Sequence, residues 1–154
     1  MKTYLVTGAA GFIGSNFVKY LLKKYGKDIQ IIIVDALTYA GNLASIKDEI
    51  ELDNVSFVKS DIADYETIKS VFTNNDIDYV VNFAAESHVD RSITNPKLFL
   101  ETNIIGTQNM LQCAREAWYV GKDEKGSPVY KDGVKYLQIS TDEVYGSLEK
   151  DFEE

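Results

Sequence analysis

The sequence predicts an α/β fold in which a parallel sheet is covered by helices on both faces. Short apolar, β-branched runs alternate along the chain with longer segments that have helical periodicity. Three glycines, Gly8, Gly11 and Gly14, stand where the first run meets the first helical segment. Alternating strands and helices form doubly wound parallel sheets with right-handed crossovers, so the expected strand order is 3-2-1-4-5. The polar residues that follow the runs would then meet at one edge of the sheet.

The first strand and the first helix enclose the glycine turn. Residues 3–7 form the predicted strand, and Gly8 would allow a tight turn with positive φ. Gly11 would let a pyrophosphate approach the amides at the helix N-terminus, and Gly14 would let the helix lie close to the strand. The spacing GxxGxxG is a variant of the dinucleotide-binding pattern, with a plain turn as the alternative. The apolar face of the helix is predicted to comprise Ile13, Phe17, Val18, Leu21, Leu22 and Tyr25.

The second strand, residues 29–34, ends at Asp35. Dinucleotide sites have an acidic residue about 20 residues after the glycine turn, where it binds the adenosine ribose. Asp35 lies 21 residues after Gly14. No Lys or Arg occurs from Ala36 to Leu43 to bind a 2′-phosphate. The pattern favours NAD over NADP, and the alternative for Asp35 is an ordinary turn residue at a strand end.

The rest of the chain continues the alternation of strands and helices. Up to the third helix, the predicted segments are a loop at 36–42, a short helix at 43–52, a strand at 55–59 leading to Asp61 and Ile62, and a helix capped by Asp64 and reaching Phe72. After it come a strand at 79–85, a polar segment at 86–92, a helix from Pro96 to about Trp118, a polar surface loop at 121–133 and a fifth strand at 134–139. Residues 140–146 follow the fifth strand. We expect residues 1–154 to form one domain.

Composition excludes several classes of function. A net charge of −8 and a pI near 4.7 argue against nucleic acid or an anionic membrane as the main partner. The single cysteine, Cys113, rules out an internal disulfide and lies in a helical apolar pattern typical of a core residue. With only one histidine, His88, no Cys/His metal site is expected. No run is long enough to span a membrane, so the cytoplasm is the default location.

Four segments together resemble the dTDP-glucose 4,6-dehydratases, a family of extended short-chain dehydrogenases/reductases that modify nucleotide sugars. The similarity runs over the whole chain but over only the N-terminal part of those enzymes. Its most specific feature is the pair Asp142 and Glu143, because the related 4-epimerases usually have small residues there. The four segments are residues 7–14, 35–43 (DALTYAGNL), 84–92 (AAESHVDRS) and 140–146 (STDEVYG).

This resemblance implies a lyase reaction and a role for each residue near the fifth strand. The sugar is oxidised at C4, water is eliminated across C5 and C6, and the hydride returns to C6, which gives dTDP-4-keto-6-deoxyglucose. Glu143 is implied as the base at C5 and Asp142 as the acid at the C6 hydroxyl. Thr141 and Ser87 are implied as substrate contacts. Adjacent residues at a strand end point in different directions, so the two carboxylates can address different atoms; the alternative is two solvated loop carboxylates.

The resemblance also implies the cofactor contacts and the partners. His88, Asp90 and Arg91 are expected to form a hydrogen-bonded structural loop beside the site, without a metal. The implied partners are dTDP-glucose and a second copy in a homodimer, in nucleotide-sugar metabolism such as rhamnose biosynthesis. The implied NAD contacts are Gly8, Gly11, Phe12, Ile13 and Gly14 at the pyrophosphate, Asp35, Ala36, Leu37 and Thr38 at the adenosine ribose, Asp61 and Ile62 near the adenine, and Phe83, Ala84, Ala85, Glu86, Ser87 and Thr102 along the rest of the cofactor.

The hydride step of this family also depends on a Tyr-x-x-x-Lys pair after the fifth strand. The pairs Tyr20/Lys24 and Tyr65/Lys69 have that spacing but precede the fourth strand, so we interpret them as helix-surface residues. We therefore expect an N-terminal fragment that is inactive alone and whose fifth strand is left at an open sheet edge. The alternatives are a UDP-sugar 4,6-dehydratase or 4-epimerase of the same family, and a non-catalytic NAD-binding module.

Overall fold

A five-stranded parallel sheet forms the centre of the structure. The computed structural model describes residues 1–146, except for the side chains of Asp142 and Glu143. The strands are β1 (Lys2–Thr7), β2 (Ile29–Asp35), β3 (Val55–Lys59), β4 (Tyr79–Asn82), β5 (Tyr119–Lys122), β6 (Pro128–Tyr130) and β7 (Lys135–Gln138). The sheet order β3-β2-β1-β4-β7 confirms the predicted topology. All four pairings are parallel, so the carboxyl ends lie at one edge.

Helices bury both faces of this sheet, as predicted. They are α1 (Phe12–Tyr25), α2 (Lys47–Ile50), α3 (Tyr65–Asn74), α4 (Val89–Thr94), α5 (Pro96–Phe99) and α6 (Thr107–Trp118). Leu5 and Ile32 share one apolar cluster with α3 and α6, whereas Val6 and Ile31 share the other with α1. Since neighbouring strand residues face opposite sides, continuous apolar runs are what a sheet covered on both faces requires.

Helix α1 buries a narrower face than its periodicity predicts. Val18 and Leu21 are buried, but Ile13 is 63% exposed and Tyr25 is exposed as well. Ile13 lies in the first turn, beyond the edge of the sheet, where it lines a cleft instead of packing on a strand. Tyr25 lies at the other end of the helix, beside the ammonium group of Lys24. Helical spacing therefore identified the middle of the buried face correctly and its two ends wrongly.

The cap of α3 and the role of Cys113 are confirmed. The Asp64 carboxylate accepts hydrogen bonds from Thr67 Oγ1 at 2.7 Å and from Thr67 N at 3.2 Å. Both hydrogen bonds lower the pKa of Asp64, and the bond from the Thr67 hydroxyl has the larger effect. Cys113 is 2% exposed in the cluster under α6, and burial raises the pKa of its thiol to about 11. A thiol in that state is a core residue and not a nucleophile.

The prediction of a loop at 121–133 is wrong for part of its length, because β5 and β6 form an antiparallel hairpin. Its turn is held by Asp123, whose carboxylate accepts hydrogen bonds from Lys125 N and Ser127 N at 2.9 and 2.8 Å. Gly126 occupies a left-handed conformation with φ +81°. The Gly and Pro residues that suggested a loop therefore mark the turn between two short strands.

The segments after β4 also differ from the prediction. Part of the polar segment 86–92 is helical, since α4 begins at Val89, and β4 ends at Asn82, three residues before the predicted end. The long helix from Pro96 to Trp118 is confirmed, but Leu100–Gly106 is wound as a π-helix between α5 and α6. π-Helical turns are frequent at functional sites, and Thr102 of this turn lines a cleft at the carboxyl edge of the sheet.

An ion cluster around Asp78 ties β1 to β4 at the opposite edge. The carboxylate of Asp78 is 7% exposed and accepts hydrogen bonds from Lys2 Nζ at 2.8 Å and Thr3 N at 2.9 Å. Lys131, which follows the hairpin, lies 3.6 Å from the same carboxylate. Burial acts to raise the pKa of Asp78, but the bonds from Lys2 and Thr3 and the charge of Lys131 outweigh it, so the pKa is lowered.

Asp78→Asn is expected to destabilise the fold at pH 7 by about 1–2 kcal/mol, a value reduced because the lysine partners are partly exposed. A carboxylate with a lowered pKa in the folded state stabilises the fold above its unfolded pKa of about 3.9, and this stabilisation is lost as the pH falls through the folded pKa. Urea denaturation at pH 7 and pH 3 should therefore show a smaller difference between variant and wild type at pH 3.

Asp76→Asn is the matched control, because Asp76 pairs with the same Lys131 at 2.7 Å but is 88% exposed. We expect this variant to change the free energy of unfolding by less than about 0.5 kcal/mol. An equal loss for Asp78→Asn at both pH values would show that the charge of Asp78 does not contribute.

Candidate functional site

A cleft of about 410 Å³ lies beyond the carboxyl ends of β1, β2 and β4. The glycine turn, the loop that follows β2 and the loop that follows β4 form its walls. All the predicted cofactor contacts except Leu37 and Ile62 line it, and Thr141 lines it as well. Sequence reasoning missed five further lining residues: Ala40, Gly41, Leu98, Ile139 and Ser140.

Leu37 and Ile62 face the interior and not the cleft. Ile62 is 2% exposed and packs in the cluster under α3 and α6. Leu37 packs against the cluster under α1, with its backbone at φ +53°. Leu37 lies two residues after β2 and Ile62 three residues after β3, and their apolar side chains extend the two cores towards the edge of the sheet.

The glycine turn presents the N-terminus of α1 to the cleft. Gly8 has φ +65°, and its N–H donates to Val34 O at 3.0 Å, which ties the turn to β2. A Cβ on Gly14 would overlap Gly8 O, so this glycine is required for the packing of the turn itself. A Cβ on Gly11 would lie 3.2 Å from Gly8 O and would otherwise point into open space. The first amides of a helix have no intrahelical acceptor, so this end of α1 is suited to an anion.

Asp35 both anchors the loops and lines the cleft. The residue is 7% exposed, and its carboxylate accepts hydrogen bonds from Ala10 N and Leu37 N, each at 2.8 Å. Each carboxylate oxygen has two lone pairs, so capacity remains for a further donor. A Cβ on Gly41 would lie 2.9 Å from Asp35 Oδ1, which explains a glycine there. Asp35 can therefore act as a turn residue at the strand end and still accept a hydrogen bond from a ligand, so the two alternatives that the sequence left open do not exclude each other.

Two asparagines, the buried Asn82 and the partly buried Asn103, hold the strand ends and the loop after β4. Asn82 accepts a hydrogen bond from the Thr7 hydroxyl and donates to Gln138 Oε1 at 2.8 Å, which joins β1, β4 and β7. Asn103, in the π-helix, accepts from Glu86 N at 2.8 Å and donates to Glu86 O at 2.7 Å. Sequence reasoning missed both. An amide within the apolar run of β4 was the available signal for Asn82, whereas the role of Asn103 depends on the π-helical winding.

A second cavity, of about 420 Å³, adjoins the cleft on the side of β7. Residues 84–87 and 139–141 line both spaces and form the boundary between them. The predicted substrate contacts, Ser87 and Thr141, belong to this boundary. Glu86 is 7% exposed there, and among the described residues no donor reaches its Oε2 atom. A buried carboxylate oxygen of this kind is suited to accept a hydrogen bond from a ligand.

The predicted catalytic carboxylates follow Thr141 directly. Asp142 and Glu143 begin a 3₁₀ turn, Asp142–Tyr145, at the end of the loop after β7. Their side chains lie outside the described part of the structure, so their predicted roles at C6 and C5 stay predictions. The backbone alone places both residues next to the boundary between the two cavities.

The described charged side chains near the site form neither a metal centre nor a catalytic Tyr/Lys pair. Among the side chains that the structure describes, which exclude those of Asp142 and Glu143, no group of three or more His, Cys, Asp or Glu is arranged to hold a metal. Lys24 donates to Tyr20 on the exposed surface of α1, and neither this pair nor Tyr65 and Lys69 lines the cleft.

Within residues 1–146, no helix is both long and apolar enough to cross a membrane.

A larger cavity, of about 490 Å³, lies at the opposite edge of the sheet, between the ends of α3 and α6. The C-terminal ends of both helices bound it, and their dipoles disfavour an anionic ligand. The cleft at the glycine turn is therefore the better candidate for a dinucleotide, although it is the smaller space.

Comparisons with known proteins agree with this geometry. A family model described as GDP-mannose 4,6 dehydratase matches residues 5–154. The dTDP-glucose 4,6-dehydratase of Xanthomonas campestris is 45% identical over 149 residues, which is 96% of this chain and 40% of that protein. The low-salt glycan biosynthesis protein Agl12 of Haloferax volcanii is 46% identical over 144 residues, which is 94% of this chain and 41% of that protein.

A solved structure shows the same fold. The dTDP-glucose 4,6-dehydratase of Bacillus anthracis, in complex with NAD, is 40% identical, with a TM-score of 0.76 over 97% of this chain and 41% of that one. The chain thus spans about 40% of the length of the curated relatives it matches. With a family model that covers almost every residue, and with the strand order and glycine turn of a dinucleotide-binding fold, the chain belongs to the GDP-mannose 4,6 dehydratase family.

Proposed function

We propose that the chain is the NAD-binding part of a dTDP-glucose 4,6-dehydratase. The observation that carries the proposal is the cleft itself. It joins the N-terminus of α1, the carboxylate of Asp35 and the segment that leads to Thr141 in one continuous space. An anion site, a ribose acceptor and a polar segment in one space match the chemistry of a dinucleotide with a sugar beyond it.

The residues present fit the cofactor. The open space above Gly11 is a cradle that a Cβ would narrow, and the adjoining amides of α1 would hold the pyrophosphate. Asp35 would accept a hydrogen bond from the adenosine ribose while keeping its bonds to Ala10 and Leu37. The same carboxylate would repel a 2′-phosphate, which supports NAD over NADP. Residues 83–87 and Thr102 would then adjoin the nicotinamide half.

Catalysis would require a base and an acid besides the cofactor. Bound NAD would supply the acceptor for the C4 hydride and its return to C6. Glu143 would remove the C5 proton, and Asp142 would protonate the C6 hydroxyl so that it leaves as water. Thr141 would donate a hydrogen bond to the sugar near C4 and hold it at the boundary of the two cavities. The proton of the C4 hydroxyl would pass to the tyrosine of the Tyr-x-x-x-Lys pair that the resemblance implies, and a proton would return to C5 when the hydride reaches C6, so the products are one water and a 4-keto-6-deoxy sugar.

The substrate and setting of the whole protein belong to the same proposal. dTDP-glucose is supported by the names of the similar proteins from Xanthomonas campestris and Bacillus anthracis. We extend the proposal to a homodimer, to the cytoplasm and to nucleotide-sugar metabolism of the kind that makes rhamnose. The net charge of −8 supports the expectation that nucleic acid is not a partner.

Calorimetric titration with NAD⁺ and NADP⁺ tests the cofactor assignment. We expect NAD⁺ to bind and NADP⁺ to bind at least about tenfold more weakly, since a repelled phosphate costs of order 1.4 kcal/mol or more. Gly11→Val is the control and should abolish the heat of binding. Equal affinity for the two nucleotides would contradict the role of Asp35, and unchanged binding by Gly11→Val would contradict the pyrophosphate site.

A further inference from the structure

A side-chain contact joins the loop after β2 to helix α4, which follows the loop after β4. The guanidinium carbon of Arg91, in α4, lies 3.8 Å from the centroid of the Tyr39 ring, in the loop after β2. This is well within the distance of about 6 Å at which a cation is attracted to an aromatic face. We call this pair the Tyr39–Arg91 clasp.

The clasp is placed to control the width of the cleft. On the side of Tyr39, the cleft is lined by Ala36, Thr38, Ala40 and Gly41. On the side of Arg91, it is lined by residues 84–87, which lead into α4. Neither Tyr39 nor Arg91 lines the cleft itself. The clasp therefore connects the two walls from outside the space that a ligand would occupy.

The loop that carries Tyr39 is anchored at its two ends but not at its tip. At its start, Leu37 N donates to the Asp35 carboxylate, and at its end, Asn42 N donates to Ala10 O at 3.0 Å. Gly41 N donates to Thr38 O, so the residues between them form a turn with Tyr39 at its tip. Tyr39 is 58% exposed, and Arg91 covers one face of its ring. A contact of this kind can open without disturbing the core.

We propose that the Tyr39–Arg91 clasp is a gate that must open for the cofactor to bind or leave. The inference rests on the proposed function, because it takes the cleft to be the NAD site. Arg91 and Tyr39 are positioning residues here, since they touch each other and not the ligand. A gate slows association and dissociation alike, whereas a contact that only orders the loop would speed association by holding the site ready.

Stopped-flow fluorescence with NADH on the full chain distinguishes these roles. Tyr39→Leu removes the aromatic face, and Arg91→Gln removes the charge while keeping much of the length. Each should make both association and dissociation about three- to tenfold faster, and the double variant should be no faster than either. Tyr39→Phe keeps the face and should behave as the wild type.

Tyr20→Leu is the matched control, because Tyr20 is also exposed and lies near a cation, Lys24, on a helix surface away from the cleft. Its rates should equal those of the wild type. Slower association by Tyr39→Leu and Arg91→Gln, or unchanged rates, would overturn the gate. The same measurement with NADPH is a second test, and a change confined to NADPH would overturn the gate by showing that Arg91 binds the 2′-phosphate. Absence of NADH binding by the wild type would instead overturn the proposed function, and the gate with it.

Discussion

Gly14→Ala is expected to destabilise the fold by about 3 kcal/mol or more, whereas Gly11→Ala should fold normally and bind NAD⁺ at least about tenfold more weakly. The added methyl of Gly14→Ala would overlap Gly8 O and crowd Ala9 Cα, which are backbone atoms of the turn that cannot move aside independently. The methyl of Gly11→Ala would meet only Gly8 O, at 3.2 Å, and would project into the space assigned to the pyrophosphate.

Urea denaturation and calorimetric titration of the same two variants provide the measurements. Gly14→Ala should unfold at a clearly lower urea concentration than the wild type. Gly11→Ala should keep its free energy of unfolding within about 1 kcal/mol of the wild type, while its NAD⁺ affinity falls at least about tenfold. These two glycines are matched, since both lie in the same turn three residues apart. If both variants lost stability equally, the open cradle above Gly11 would be wrong.

Asp35→Ala should cost about 2–4 kcal/mol of stability and also remove NAD⁺ binding. The carboxylate accepts two backbone hydrogen bonds from separate segments, at Ala10 and at Leu37, and both donors would be left unpaired near the core. The same oxygens would hold the adenosine ribose. Asp35→Asn keeps the shape of the side chain and one acceptor oxygen. Its stability and its NAD⁺ affinity should therefore lie between those of the wild type and of Asp35→Ala, and it should discriminate less between NAD⁺ and NADP⁺.

Asp61→Ala is the control for this prediction. Asp61 also lines the cleft, but its carboxylate accepts a bond only from the nearby Ala63 N at 2.9 Å among the described contacts. We expect a loss of about 1 kcal/mol there, measured by the same denaturation. Equal losses of stability for Asp35→Ala and Asp61→Ala would mean that the hydrogen bond from Ala10 N to Asp35 adds no stability beyond that of a local turn.

The sheet could be predicted from the sequence because its determinants are local. The central strands β1, β2 and β4 each contain a run of three or four consecutive apolar residues, which identifies them without reference to their neighbours, and the crossover rule then leaves few possible orders. The hairpin was missed for a related reason. Its strands contain only four and three residues. Gly126 lies in the turn between them and Pro128 is the first residue of β6, so the turn signals outweighed the pattern of the strands.

The site was predicted in its composition but not in its connections. Spacing alone placed Gly11 and Asp35, because the geometry of a strand, a turn and a helix repeats among dinucleotide-binding folds. Spacing does not show that Asp35 also bonds Ala10, since that contact depends on how the turn packs on β2. Spacing also does not show that the Asn103 side chain forms hydrogen bonds with both the N–H and the C=O of Glu86, because a π-helix shifts the register of every side chain after it.

The strand order, the glycine turn and the acidic residue at the end of β2 follow from short segments of the chain and from the rule for crossovers, so the sequence alone predicts them. Which of the predicted contacts face the cleft depends on long-range packing, which turns Ile62 and Leu37 into the cores. The position of Arg91 on the ring of Tyr39 depends on long-range packing too. No local pattern encodes that pair, since the two residues meet only when the sheet brings the loop after β2 and the helix after β4 to the same carboxyl edge.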